Sequence, residues 1–381
     1  MDFAIDPEDL RLKESVVAFA RRELAKDLAE REKRGEFDRD GWKKCADFGI
    51  QALAVPSSHG GLEKGILSFL MVMEGLGYAC PDSGLTFALA SHILTCEIPI
   101  VNFGTPDQKE RYLPGLAKGE LIGGHAITEA DAGSDAFSLR TKAVKDGDRY
   151  VLNGTKMFIS NGPIADVLLV FARTADRPGF AGITAFIVER GFPGFSVGQA
   201  LEKMGLRTVP TGEIILTDCV VPEKNRLGKE GQGAMIFNSE MEWERSCLFA
   251  CHLGAMEAQL EACVGYAKTR QQFGSPIGRY QSVSNKIADM KVRIELGRLI
   301  LHKVAWLKSQ GQRAALESAI AKLFVSESFV QSSLDAVQIH GGYGYMTEFG
   351  MERYLRDAVA GNIYSGTSEI QRNTIASWLG L

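Results

Sequence analysis

A chain of 381 residues with 45% hydrophobic and 24% charged residues exceeds what one hydrophobic core usually spans, so two or three domains are expected. Its net charge of −4 leaves no basic stripe for nucleic acid and no polybasic membrane patch. Seven cysteines with no CxxC pair read as free thiols of a reducing compartment. With no signal or transit segment and no apolar run long enough to span a bilayer, the expected location is the cytoplasm.

In chain order, residues 6–120 read as helices. Asp6 is a candidate N-cap with Pro7 at the first helical position. "GILSFLMVMEGLGYA" and "GLTFALASHILTCEIPIVNFG" are mostly apolar and should be buried, and Thr105 caps a helix that starts at Pro106. From about Leu121 the character changes. "YVLNGTKMFISN", "VLLVFART", "ITAFIVER" and "EIILTDCVVP" read as strands separated by turn formers, which suggests a small β-barrel or sandwich. After "GKEGQG" helical patterns return, from about Gly233 to Lys268, Tyr280 to Gly311, Ala315 to His340, and at the C-terminus. The expected class is α+β, with an N-terminal helical domain (1–120), a central β-domain (121–230) and a C-terminal helical bundle (231–381).

Several short stretches carry chemistry. "ITEADAGSD" holds two hydroxyls, Thr128 and Ser134, around a turn glycine that lets backbone amides approach a ligand. In "NGTKMFISNG", Phe158 and Ser160 have the same parity and so share a strand face, where a ring and a hydroxyl can flank a flat ligand. "TRQQFG" ends a long helix with Arg270, suited to the helix dipole or to a pyrophosphate. "QIHGGYGYM" is a glycine-rich break that follows a helix rather than a strand, so it is no Rossmann fingerprint. His340 within it has no metal-spaced partner and reads as structural; no metal site is expected.

Taken in order, "ITEADAGSD", "NGTKMFISNG", "RQQFGSPIGRYQ", "QIHGGYGYM", "RYLRD" and "IYSGTSEIQR" resemble the acyl-CoA dehydrogenase family across essentially the whole chain. The resemblance implies non-covalent FAD, a four-helix bundle in the C-terminal domain and a homotetramer built as a dimer of dimers. It places Thr128 and Ser134 on the flavin and its phosphates, Phe158 beside the isoalloxazine and Ser160 near its N5. Arg270, Phe273 and Gln281 would reach the FAD of the neighbouring subunit. Gln338, Gly341 and Gly342 would cradle an adenosine end, and Thr367 and Glu369 would close over the flavin.

The family's usual catalytic carboxylate falls here on Ser365, whose backbone N–H remains as the implied donor to the thioester oxygen. Some members keep the base on the first long helix of the C-terminal domain, just before an arginine, and the matching pair is Glu244–Arg245. Helical spacing supports this independently. Met241, Glu244, Leu248, Cys251 and Ala255 form one stripe, so Glu244 is the acid on an apolar face, whereas Glu242 falls with Arg245 and Ser246. Burial raises a carboxyl pKa toward what a general base needs. Glu240, one turn earlier, is a second candidate.

"MEWER", "SGTSEIQ" and "NGPIADV" narrow the resemblance to dehydrogenases acting on thioesters held by an acyl or peptidyl carrier protein, prolyl-carrier-protein enzymes first. "MGLRTVPTGEI" is closer to ordinary members acting on short or branched acyl-CoA. The electron acceptor would be an electron-transfer flavoprotein or oxygen. A flavin monooxygenase and an inactive thioester-binding paralogue are the readings from other classes.

Overall fold

The computed structural model describes residues 5–175 and 179–381. The N-terminal helices begin at Pro7–Glu23, with the Asp6 side chain accepting from Glu8 N–H. Thr105 and Gln108 complete a reciprocal capping box at Pro106–Ala117. Ile66–Ala79 is apolar on all sides and nearly every residue is buried, as expected of a helix packed on all faces. Ser83–His92 continues through a wide turn, Ile93–Glu97, into Ile98–Phe103. That turn, closed by Ile98 N–H to the Ile93 carbonyl, lies beside Pro99, which has no N–H for the α-helical ladder. Contrary to the sequence expectation, the joined run Ser83–Phe103 is long and apolar enough to cross a membrane by length and composition; 83% of its most apolar window is buried inside the fold, so here it is a core helix.

The central domain holds β1 (Gly123–Ala126), β2 (Lys142–Asp146), β3 (Arg149–Ser160), β4 (Val167–Arg173), β5 (Ile183–Glu189), β6 (Phe195–Ala200), β7 (Thr211–Pro222) and β8 (Arg226–Leu227). They form one sheet in the order β6-β7-β3-β2-β4-β5-β8, with β1 beside β4. The two halves meet through a single pairing, Lys142 with Arg173. Residues from both halves share one buried cluster, Leu152, Ile214 and Leu216 with Leu168, Val170 and Phe186. The halves therefore face each other across a common core, the sandwich-like arrangement that the turn-spaced strands imply.

The C-terminal domain is built on Gly233–Thr269 (37 residues), Gln281–Ser309 and Ala315–His340. Shorter helices follow at Gly342–Tyr345, Met351–Gly361 and Ser368–Trp378; the first two of these add to the four expected. The N- and C-terminal helices share one continuous core, in which Phe69, Met73 and Leu76 pack with Cys247, Phe249 and Met256. Two glycines let Ile66–Ala79 and Gly233–Thr269 touch backbone to backbone. A Cβ on Gly77 would lie 2.0 Å from the Cys251 carbonyl oxygen, and one on Gly254 2.0 Å from that of Glu74. Any larger residue would push the long helix away. Glu244 rides on that helix, so this crossing sets its depth.

Candidate active site

Glu244 lies half-buried on the long helix, with Leu248, Cys251 and Ala255 buried along the same face. Ser365 arrives from the loop between the last two helices, 121 residues away in sequence, and its Oγ donates to Glu244 Oε1 at 2.8 Å. The loop is held firmly. Arg245 Nε and Gln371 Nε2 each donate to the Ser365 carbonyl at 3.1 Å, and Gln371 also reaches the Gly366 carbonyl at 2.8 Å. Ser365 has φ +56°, a left-handed conformation that a non-glycine residue keeps only when its surroundings enforce it. Sequence reasoning gave the Ser365 side chain no task; the structure puts its hydroxyl on the candidate base.

Burial is the main influence on Glu244 and raises its pKa. The His125 imidazole and the Ser365 hydroxyl oppose the rise, Glu240 adds to it, and Arg245 makes a smaller opposing contribution. Glu240, one turn earlier, is 1% exposed. Its Oε1 lies 2.7 Å from His125 Nε2. Burial drives the Glu240 carboxyl strongly up and the His125 imidazole down to about 4. Burial thus disfavours the charged form of both members of this pair. Of the two acids, only Glu244 keeps an opening. Glu242 is engaged elsewhere, receiving Lys308 Nζ at 3.0 Å.

The two β-domain motifs are clamped together. Met157 N–H donates to the Thr128 carbonyl at 2.8 Å. Lys156 Nζ, fully buried, donates to the Ile127 carbonyl at 3.0 Å and to Glu129 Oε1 at 2.8 Å. Glu129 also accepts from the backbone of Arg140 and Thr141. Burial lowers Lys156 to about 8 while Glu129 holds it up, so breaking the pair would strand a buried charge. Just beyond, the β3–β7 register slips between Lys156 and Ile159. Phe158 takes φ +60° and is 62% exposed. The expected regular alternation of Phe158 with Ser160 is thus interrupted by an irregularity, while Ser160 pairs with Thr211 at the strand end. Ser134 is exposed in the turn after Thr128.

A second region lies at the far end of the long helix. Arg270, Phe273, Gln338, Gly341 and Gly342 line one open groove of ≈ 1030 Å³. Gln281 is exposed at the start of its helix, between Tyr280 and Ser282 of the same groove. Phe273 has φ +49° and is 96% exposed, another strained and solvent-facing aromatic. Gly341 has φ +60° and ψ −134°, a conformation open in practice to glycine alone. His340 also lines the groove; its Nδ1 lies 2.9 Å from the Ala336 carbonyl and its ring stacks on Tyr266. Thr367 caps the last helix by accepting from Ile370 N–H, and Glu369 is exposed beside it. Sequence reasoning missed His125 and the Tyr364–His252 contact at 2.7 Å. Neither histidine carries a spacing signal, and only the apolar run around His252 hinted at its burial.

Profiles of the N-terminal, middle and C-terminal domains of acyl-CoA dehydrogenases match residues 6–120, 124–219 and 231–380. The chain belongs to the acyl-CoA dehydrogenase family. An L-prolyl-[peptidyl-carrier protein] dehydrogenase of Pseudomonas fluorescens is 46% identical over 89% of this chain and 90% of its own. One from a Serratia species is 42% identical over 100% of this chain and 99% of its own. Among solved structures, the prolyl acyl carrier protein oxidase AnaB superposes with TM-score 0.98 at 46% identity, covering 99% of this chain and 100% of that one.

Proposed function

We propose that this protein is an FAD-dependent dehydrogenase that desaturates an aminoacyl thioester held by a peptidyl carrier protein, with prolyl as the acyl group, in a natural-product pathway. The contact that carries the reading is Ser365 Oγ to Glu244 Oε1, which sets a burial-raised carboxylate against a rigid loop. The relatives named above support the prolyl assignment.

The chain fits a flavin dinucleotide. Phe158 and Phe273 are exposed aromatics on strained backbone, an arrangement that folding alone does not reward. A Cβ added to Gly341 or Gly342 would meet nothing within 4 Å, so no packing inside this chain demands glycine there, and the space suits a ligand. Thr128, Ser134, Phe158, Ser160, Thr367 and Glu369 would hold the ring end; Arg270, Phe273, Gln281, Gln338, Gly341 and Gly342 would hold the phosphate and adenosine end. When bound, FAD supplies the acceptor for the hydride that leaves Cβ.

The chain's own residues do the rest. Glu244, ionised, removes the α-proton, and its raised pKa brings its basicity closer to the task. Ser365 N–H has no backbone acceptor among the described residues and would be available to donate to the developing negative charge on the thioester oxygen. The Ser365 hydroxyl fixes the carboxylate in place. Arg245 and Gln371 hold the loop.

Glu244 and Arg270 are separated by 26 positions of one helix, about 39 Å at 1.5 Å per residue, farther than one dinucleotide spans. The groove of one chain therefore serves the flavin of a neighbour, in a homotetramer built as a dimer of dimers. An electron-transfer flavoprotein or oxygen reoxidises the flavin, and the enzyme works in the cytoplasm.

The test compares prolyl on a carrier protein, on CoA and on a pantetheine fragment by anaerobic flavin bleaching. Fastest bleaching with the carrier form is expected. Equal or better kcat/KM with acyl-CoA would make the protein a short- or branched-chain acyl-CoA dehydrogenase, and no bleaching with any thioester would sink the dehydrogenase reading.

A further inference from the structure

Starting at Leu248, one helical turn past Glu244, lies a narrow cavity of ≈ 20 Å³ whose wall reaches Tyr364 but includes neither Glu244 nor Ser365. A single water needs about 10–15 Å³, so the cavity admits one water-sized group, such as the N–H edge of a ring, and not a whole ring. Its position follows from the chain. Leu248 and Cys251 continue the Glu244 face of the long helix, and Tyr364 directly precedes Ser365. Phe87 and Phe329 complete the apolar wall.

Most polar groups in this wall are already engaged within the protein. Asp357 accepts from Leu206 N–H at 2.6 Å, and Thr86 donates to the Ser83 carbonyl at 3.1 Å. The Tyr364 hydroxyl lies 2.7 Å from His252 Nε2. Burial lowers His252 to about 3, assisted by the Lys322 ammonium, so the imidazole is neutral. A phenol has one proton and two lone pairs. One contact with a neutral imidazole leaves capacity for a second hydrogen bond. Tyr364 and His252 both line the cavity.

We propose that the Tyr364–His252 pair receives the ring nitrogen of a cyclic aminoacyl group, and so distinguishes an aminoacyl thioester from an acyl thioester of the same shape. The inference rests on the prolyl reading of the site and adds the residues that enforce it. A ring N–H entering an otherwise apolar cavity without a partner would be penalised. With the phenol oxygen as partner it is satisfied, while a hydrocarbon ring leaves the phenol's remaining capacity dry and unused. Tyr364 is thus a specificity-determining residue, and His252 positions it by fixing where its hydroxyl points.

The experiment uses FAD-loaded protein and two thioesters on one carrier protein, prolyl and its carbocyclic counterpart cyclopentanecarbonyl. The readout is the ratio of their kcat/KM values for flavin reduction. The wild-type ratio is expected to lie well above one. Tyr364→Phe should lower it by about 10- to 100-fold, the loss of one strong hydrogen bond, through the prolyl value. His252→Leu should lower it in the same direction. His252→Gln, whose amide can still bond the phenol, should keep it within about threefold of wild type. Retained flavin absorbance identifies variants that fold, and if Tyr364→Phe does not, the His252 variants decide. A wild-type ratio near one overturns the inference while leaving the dehydrogenase intact. So does a ratio that stays constant in Tyr364→Phe and His252→Leu. If wild type reduces its flavin with neither thioester, the failure belongs to the function proposed above.

Discussion

The two ends of the helix Gly233–Thr269 are built on opposite principles. At the Glu244 end, side chains answer one another inside a single chain: Ser365 bonds Glu244, Arg245 and Gln371 bond the Ser365 loop, and Glu240 is closed off with His125. At the Arg270 end the parts stand open. Phe273 is almost wholly exposed, and Gly341 and Gly342 face empty space. On the proposed reading Glu244 is a catalytic base, which must be fixed before substrate arrives and so has its surroundings satisfied in advance. The groove, on the same proposal, gains its partners from a cofactor and a second subunit and is left incomplete by its own chain.

The contrast can be broken at either end. The largest effect is expected from Glu244→Gln, which keeps the shape and removes the base. Flavin reduction by substrate should fall by about 10²- to 10⁴-fold, with FAD still bound, as stopped-flow bleaching would show. If Glu240→Gln falls as far and Glu244→Gln does not, the buried acid is the base and the assignment of roles reverses. Arg270→Ala should act at the other end only. FAD affinity, read by fluorescence titration, should weaken by about 10- to 100-fold, the worth of a lost charge-assisted bond. The pH dependence of reduction at saturating FAD should stay in place. A moved pH dependence would mean that the two ends are not independent.

Ser365→Ala is the smallest change and the sharpest. If Glu244 is the base, as proposed, reduction requires its ionised form and the rate should rise with pH through a pKa that burial has raised. The Ser365 hydroxyl favours the ionised form. Its removal should move that rise to higher pH, lowering the rate at neutral pH by about 3- to 10-fold and recovering it in alkaline buffer. An unmoved profile would leave the hydroxyl without a role.

The order of helices, strands and helices was legible because periodicity is local. The short runs that put Arg270, Phe273, Gln338, Gly341 and Gly342 on one groove and Glu244 on the long helix were singled out for the same reason, since each motif is local. What the sequence did not disclose depends on distant chain. The contact between Ser365 and Glu244 joins residues 121 positions apart, and His125 reveals its partner Glu240 only once β1 packs against the long helix. The parity of Phe158 and Ser160 presumed a regular strand, but pairing with β7 slips there and turns Phe158 outward. The single Lys142–Arg173 pairing that joins the two halves of the sheet has no signature in either strand.

The length of one helix also has a genetic meaning. In the proposed dimer of dimers, each working site draws its base from one polypeptide and its groove from another. A gene copy damaged at Glu244 still encodes an intact groove, and a copy damaged at Arg270 still encodes an intact base. Neither copy alone assembles a whole site. Expressed together, they form mixed oligomers in which some sites combine the sound half of each. If the proposed assembly holds, the 37 residues from Gly233 to Thr269 place two classes of allele in separate complementation groups within a single gene.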